Sequence, residues 1–199
     1  MYFVYPHMHD HLALDFIQYA WTIFLLVWAI SALRVKRSIK RQSIASRLQQ
    51  SLPVITAFCL VFSPNLWPHW LRLRFFSQSD TALVWVGVAL TALGMGFAIL
   101  ARLWIGKNWS GTITIKDRHE LIQGGPYRIV RHPIYAGMLL AFLGTVIVYG
   151  EIRGLIGLLL LALGFGLKLR MEEAFMIQQF GSAYNDYKQR VKAVVPFLI

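Results

Sequence analysis

Five apolar stretches, 12–33, 53–71, 82–105, 134–149 and 154–169, take up about half of this chain and restrict what it can fold into. A helix that crosses a bilayer needs about 20 mostly apolar residues. Of the 199 residues, 57% are hydrophobic and 15% charged, against roughly 25% charged in an ordinary soluble domain. Mean hydropathy is +0.53. A soluble core of this length cannot hide so much apolar surface, whereas lipid serves a polytopic protein as its solvent. Disordered chains, disulfide scaffolds and most soluble enzymes are excluded. The expected fold is an all-α integral membrane protein: one domain, a bundle of five transmembrane helices, with polar regions at 106–133 and 170–199.

Charge tests this division. There are 20 Lys and Arg against 9 Asp and Glu. One loop holds Arg34, Lys36, Arg37, Lys40, Arg41 and Arg47. Another holds Arg102, Lys107, Lys116, Arg118, Arg128 and Arg131. A third group follows the fifth stretch: Lys168, Arg170, Lys188, Arg190 and Lys192. With five crossings these all share one side, leaving Arg72, Arg74 and Arg153 on the other. Cytoplasmic loops collect cations, so the N-terminus is expected outside and the C-terminus in the cytoplasm. The basic excess then needs no nucleic acid to explain it. Cys59 is the only cysteine, so no internal disulfide forms. The first Lys or Arg is Arg34, so no basic start of a signal peptide is expected.

Segments between the spans carry more detail. Lys36–Gln50 is basic and weakly amphipathic, and reads either as a helix on the membrane surface or as a solvated loop. Gly106–Pro133 is polar and too long for a mere connector. Within it, Thr112–Ile115 is expected to be extended and Gly124-Gly125-Pro126 to turn. Glu172–Arg190 reads as a cytoplasmic helix. Its Met176, Phe180, Tyr184, Tyr187 and Val191 form one apolar stripe, and Pro196 ends the pattern.

The densest chemistry lies in Gly125-Pro126-Tyr127-Arg128-Ile129-Val130-Arg131-His132-Pro133-Ile134-Tyr135-Ala136-Gly137. Pro133 biases His132 away from helix and suits the first turn of the span that follows. Arg131, His132 and Tyr135 then gather at the mouth of the bundle. Singly, each is an interfacial anchor; together they make a site. Glu172-Glu173 is the second cluster, because paired acids at a membrane exit are costly unless matched or hydrated. Lys168 shares a helix face with Glu172. His7-Met8-His9-Asp10-His11 has the look of a metal tract but reads as a frayed tail, and no metal is expected. No phosphate-binding glycine loop, zinc-protease motif or nucleophile elbow is present.

These motifs together resemble the isoprenylcysteine carboxyl methyltransferase family, which is related to phospholipid methyltransferases. The resemblance starts at Gly106-Lys107-Asn108-Trp109-Ser110-Gly111 and runs through His119-Glu120-Leu121 and the Arg-His-Pro-x-Tyr segment. It resumes at Glu172-Glu173 and continues to Phe180-Gly181, Tyr184, Tyr187, Val191 and Pro196. It implies an integral membrane enzyme that uses S-adenosylmethionine. Its cofactor pocket would be formed by His119, Glu120, Leu121, Ile122, Tyr127, His132, Pro133, Ile134, Tyr135 and Glu172. The implied acceptor is a lipid-like or prenylated molecule that carries a carboxylate. Arg131, Arg170 and Lys168 are the candidate cations for holding it. Eukaryotic members carry arginine where this chain has Lys168, and lysine cannot make arginine's planar two-pronged contact.

Three other functions fit the same pattern. A phospholipid amine methyltransferase would need a base such as Glu173 or His132 to keep the amine neutral. A non-catalytic lipid-binding protein would keep the fold without cofactor affinity. A nicotinamide-dependent reductase is the third, disfavoured by the short chain.

Overall fold

The computed structural model describes residues 8–32, 38–41, 44–75, 81–109, 114–116 and 120–196. Helix α1 is Met8–Ala32, α2 Ile44–Phe62, α3 Thr81–Ile105, α4 Pro133–Tyr149, α5 Ile152–Phe180 and α6 Ser182–Arg190. Strands β1, Ser38–Arg41, and β2, Thr114–Lys116, pair antiparallel with Lys40 opposite Ile115. Apart from this ribbon, regular structure among the described residues is helical. Among the described residues, three helices are long and apolar enough to cross a membrane, at His11–Ser31, Thr81–Ile105 and Ile152–Phe180, and α4 is a shorter apolar helix. Leu25, Leu26, Leu93, Leu103, Leu159 and Leu163 stay exposed on these helices, as side chains that face lipid do.

Packing follows residue size. On α3, Gly87, Thr91 and Gly94 form a stripe of small residues; on α4, Gly137, Ala141 and Gly144 form another. A Cβ at Gly137 would lie 2.5 Å from Gly94 O and 2.7 Å from Ala98 N, so the two backbones touch. Thr91 donates to Gly87 O or Ala141 O at 3.0 and 3.2 Å, and Trp21 Nε1 donates to Thr145 Oγ1 at 2.9 Å, tying α1 to the pair. Around Trp21 the rings of Phe24, Phe58, Phe62 and Phe142 pack edge-on, which joins α1, α2 and α4 in one aromatic core.

Four expectations change. The second apolar stretch was expected at 53–71, but α2 runs Ile44–Phe62, with Pro53 inside it. Pro64 pushes Ser63 out of helical geometry, at φ −125° and ψ 64°, and two short 3-10 turns follow. The basic Lys36–Gln50 segment is neither one surface helix nor one loop. It divides between β1 and the first turns of α2. The expected break between the fifth span and the C-terminal helix is absent. Residues 169–172 offer only helix formers, so α5 continues for 29 residues to Phe180. The chain turns instead at Gly181, whose φ of +56° suits glycine. Finally, α1 starts at Met8, so His9 and His11 belong to a helix rather than a frayed tail, while His7 lies outside the described residues.

The C-terminal ends of α1, α3 and α5 and the N-terminal ends of α2 and α4 meet at one end of the bundle. The candidate site lies there.

Candidate functional site

The site begins at a turn. Gly125 has φ +56°, and a Cβ there would strike the Trp104 ring of α3. Glycine therefore lets the turn Gly125–Arg128 lie flat on α3, and this buries Tyr127. The next residues meet the C-terminal segment. Arg131 N donates to Lys192 O at 2.8 Å and His132 N to Ala193 O at 2.9 Å. His132 is the N-cap of α4, at φ −123° and ψ 63°, and Pro133 begins the helix, as the His-Pro order predicts.

From that cap, His132 and Tyr135 face α5. Their rings stack at 5.6 Å, and Tyr135 stacks on Phe165 at 4.8 Å. The Tyr135 hydroxyl donates to Glu172 Oε1 at 2.7 Å. His132 Nδ1 lies 3.6 Å from Glu172 Oε2, and Nε2 lies 3.4 Å from Glu173 Oε1. The second approach lacks hydrogen-bond alignment, so Nε2 is buried without a hydrogen-bond partner. Lys168 Nζ sits 5.6 Å from the centre of the Tyr135 ring.

Glu173 has a different surrounding. Arg131 reaches its Oε1 through Nε at 2.9 Å and Nη2 at 2.5 Å, and Lys188 Nζ reaches Oε2 at 2.7 Å. Arg131 Nη1 also donates to Lys188 O at 3.2 Å and to Val191 O. Arg131 thus joins the entry of α4 to α5, α6 and the C-terminal segment. Tyr187 completes the support, donating its hydroxyl to Tyr127 O at 2.6 Å. Beside these residues, an apolar groove of about 450 Å³ runs along α4 from Ile129 and Val130 past Ala136 and Leu140 to Leu143.

Protonation follows from these neighbours. Burial alone would depress the His132 pKa, but the Glu172 and Glu173 carboxylates outweigh it and hold the imidazolium above its ordinary range. Burial pushes the Tyr127 phenol well up, and nearby Glu172 adds to this. Burial also pushes Tyr187 up to about 12, against the pull of Arg131. Both phenols stay neutral and can donate.

The structure therefore brings Tyr127, His132, Pro133, Ile134, Tyr135 and Glu172 together, with Arg131 and Lys168 beside them. Glu120 is exposed, Leu121 and Ile122 are half-buried, and His119 lies outside the described residues. Arg170 is exposed and makes none of these contacts. Sequence reasoning missed the ties from Lys188 and Tyr187. The Tyr184–Tyr187 stripe was the signal for the second, and Lys188 gave none.

Comparison with known proteins agrees with the motifs. A "Probable protein-S-isoprenylcysteine O-methyltransferase" of Oryza sativa subsp. indica is 33% identical over 117 residues, covering 57% of this chain and 61% of that protein. "Protein-S-isoprenylcysteine O-methyltransferase B" of Arabidopsis thaliana is 30% identical over 142 residues, covering 70% and 66%. The chain thus spans less than two thirds of the length of either relative. A solved structure, "Structure of the eukaryotic intramembrane Ras methyltransferase ICMT (isoprenylcysteine carboxyl methyltransferase) without a monobody", aligns with a TM-score of 0.55 at 23% identity. It covers 75% of this chain and 53% of that one, so the fold is shared. The pattern of the phospholipid methyltransferase family matches residues 82–183. That stretch holds α3, α4, the whole of α5, Tyr127, His132 and both glutamates, and through it this chain belongs to the phospholipid methyltransferase family.

Proposed function

We propose that this protein transfers a methyl group from S-adenosylmethionine to the carboxylate of an isoprenylcysteine or similar lipid-like acceptor. In this reading the bundle crosses the membrane five times, through α1 to α5, with the N-terminus outside and the site and C-terminus in the cytoplasm. The cation distribution along the chain supports that orientation. The observation that carries the activity is the cluster of buried Tyr127 and Tyr135 with half-buried His132 and Glu172, in which His132 Nε2 makes no hydrogen bond.

These residues fit the donor. S-adenosylmethionine supplies an electrophilic methyl on a sulfonium cation. Aromatic faces such as Tyr135 stabilise a nearby cation by about 0.5–2 kcal/mol. Glu172 accepts hydrogen bonds from an amine or a ribose, and His132 Nε2–H has a bond still to give. Arg131, matched by Glu173 and two carbonyls, positions the cap of α4 and does not touch the acceptor. Lys168 balances Glu172 across the Tyr135 ring. In this reading Glu120, Leu121 and Ile122 form the outer wall on the polar loop, and His119 is assigned to the cofactor by its motif alone. The acceptor carries an apolar tail, and its entry is sideways from lipid.

A carboxylate acceptor suits the protonation pattern better than an amine. Transfer to a carboxylate needs alignment rather than a base. Glu173 is engaged by two cations, and the two carboxylates beside His132 favour its imidazolium form, which has no lone pair to take a proton. The deciding experiment is calorimetric titration of the purified protein with S-adenosylhomocysteine. The wild type binds saturably, NADPH does not bind, and Glu172→Gln or His132→Ala weakens binding at least tenfold. Unchanged binding in both folded variants would remove these residues from the cofactor site.

A further inference from the structure

We infer that Arg102, near the end of α3, receives the acceptor's carboxylate, an inference that rests on the methyltransferase reading above. None of the three cations drawn from the sequence fills this role well. Arg131 is spent on Glu173, Lys168 lies against Tyr135, and Arg170 is exposed.

Arg102 is only 3% exposed. Its Nη1 donates to Gly106 O at 3.0 Å and its Nη2 to Ser31 O at 2.6 Å. Its guanidinium lies 4.3 Å over the Trp109 ring. Its Nε is buried with no hydrogen-bond partner. Among the described residues, Arg131, His132, Arg153 and Lys188 pair with acids, whereas Arg102 has no such pair. A buried guanidinium that meets carbonyls but no carboxylate is costly. It keeps donors for an anion, since arginine has five N–H groups and the bonds above use only part of them.

Its position suits the reaction. Trp104, two residues on, lies beneath the Gly125 turn that presents Tyr127. The Tyr127 phenol is within electrostatic reach of Arg102 and of Glu172. A cation and an anion therefore lie within reach of one buried tyrosine. Glu172 and the tyrosines suit the sulfonium, and Arg102 suits the anion that attacks it. In the transfer, a carboxylate oxygen forms a bond to the methyl carbon. The carbon–sulfur bond breaks, and its electron pair stays on sulfur. A neutral ester and a neutral thioether result, and no proton moves. The ester no longer pairs with Arg102, which favours its release.

The test uses the protein in phosphatidylcholine nanodiscs. The probe is N-acetyl-S-farnesylcysteine, compared with its carboxamide. Binding is read from tryptophan emission, which Trp109 makes sensitive to the Arg102 site. The wild type binds the carboxylate saturably and the carboxamide at least tenfold more weakly. Arg102→Lys weakens carboxylate binding and raises its KM at least tenfold. Arg102→Met abolishes that preference. In both variants S-adenosylhomocysteine affinity stays within twofold, a result that a merely structural role for Arg102 would not give. If Arg102→Met fails to fold, the lysine variant decides alone. Carboxylate affinity and KM unchanged in the folded variants would overturn the inference and leave the methyltransferase reading standing. Displacement of the probe by phosphatidic acid would also overturn it, assigning Arg102 to a lipid phosphate. A wild type that binds neither S-adenosylhomocysteine nor the probe sinks both.

Discussion

Two buried arginines hold opposite ends of this bundle, and they differ in what they leave over. At the end away from the site, Arg153 pairs with Glu151 and donates to Leu60 O at 2.7 Å and to Val61 O. It also lies 5.3 Å from the Tyr149 ring centre. It thereby supplies the last carbonyls of α2 with the donor that a helix C-terminus lacks. Gly150 and Leu73 close the same corner, accepting from Phe75 N and Ile152 N at 3.0 Å each. At the site end, Arg131 does a similar job for Glu173, Lys188 O and Val191 O. Yet the two buried side-chain nitrogens without a hydrogen bond among the described residues, on Arg102 and His132, are both at this end. In the proposed function the closed cluster serves stability, and the donors left over are those that meet the ligand.

Removing each arginine separates these roles. Arg131→Met leaves buried Glu173 with Lys188 and the His132 ring to offset its charge. Removing one partner of a buried pair costs at most about 3–5 kcal/mol, less where other cations remain, and it also releases the cap that aims His132. Thermal unfolding and titration with S-adenosylhomocysteine should show lower stability and lost affinity together. Arg153→Met should lower stability alone, with the affinity of the folded protein within twofold. Equal loss of affinity in both would erase the distinction between the two ends.

pH tests the same contrast. The folded protein holds His132 above its ordinary pKa, so folding favours the imidazolium. That contribution is complete below the unfolded value of about 6.5. It fades as pH rises through the higher folded value, at no more than about 1.4 kcal/mol per unit. The melting temperature of the ligand-free protein should fall over that window. His132→Gln should flatten this step, and Arg153→Met should leave it in place. The smallest effect belongs to Tyr187→Phe, which deletes one hydrogen bond to Tyr127 O. A loss of about 1 kcal/mol is expected, together with a modest weakening of cofactor binding as the Tyr127 turn loosens.

Much of the site was legible because its determinants are local. Pro133 stops helix formation before it and begins α4, so His132 becomes the cap wherever the chain is placed. Gly124-Gly125-Pro126 turns, and Tyr135 follows His132 on nearly the same face of α4. Glu172 and Glu173 stand out because acids in an apolar helix need partners. The errors fell where local rules were outvoted. Pro53 in the second apolar stretch did not set a helix boundary, because α2 packs along its length against α5; Gly164 of α5 admits Val54, Gln50 and Pro53 at close range. The end of α5 was misplaced because apolarity stops near Leu169, while helix propensity and the Glu173 ties carry on to Phe180.

The sequence by itself determined that the chain is a helical membrane bundle, and which short motifs crowd one end. Periodicity, apolar length and proline placement act within a turn or two of a residue. Only the tertiary structure decided which cations are spent and which are kept. Arg131 finds Glu173 from 42 residues away, and Arg102 meets Ser31 O from 71 away. Charge and spacing look alike for Arg131, Arg170 and Arg102 in the sequence. Their partners differ because helix packing places one against a glutamate, one in the open and one among carbonyls with no acid to match it.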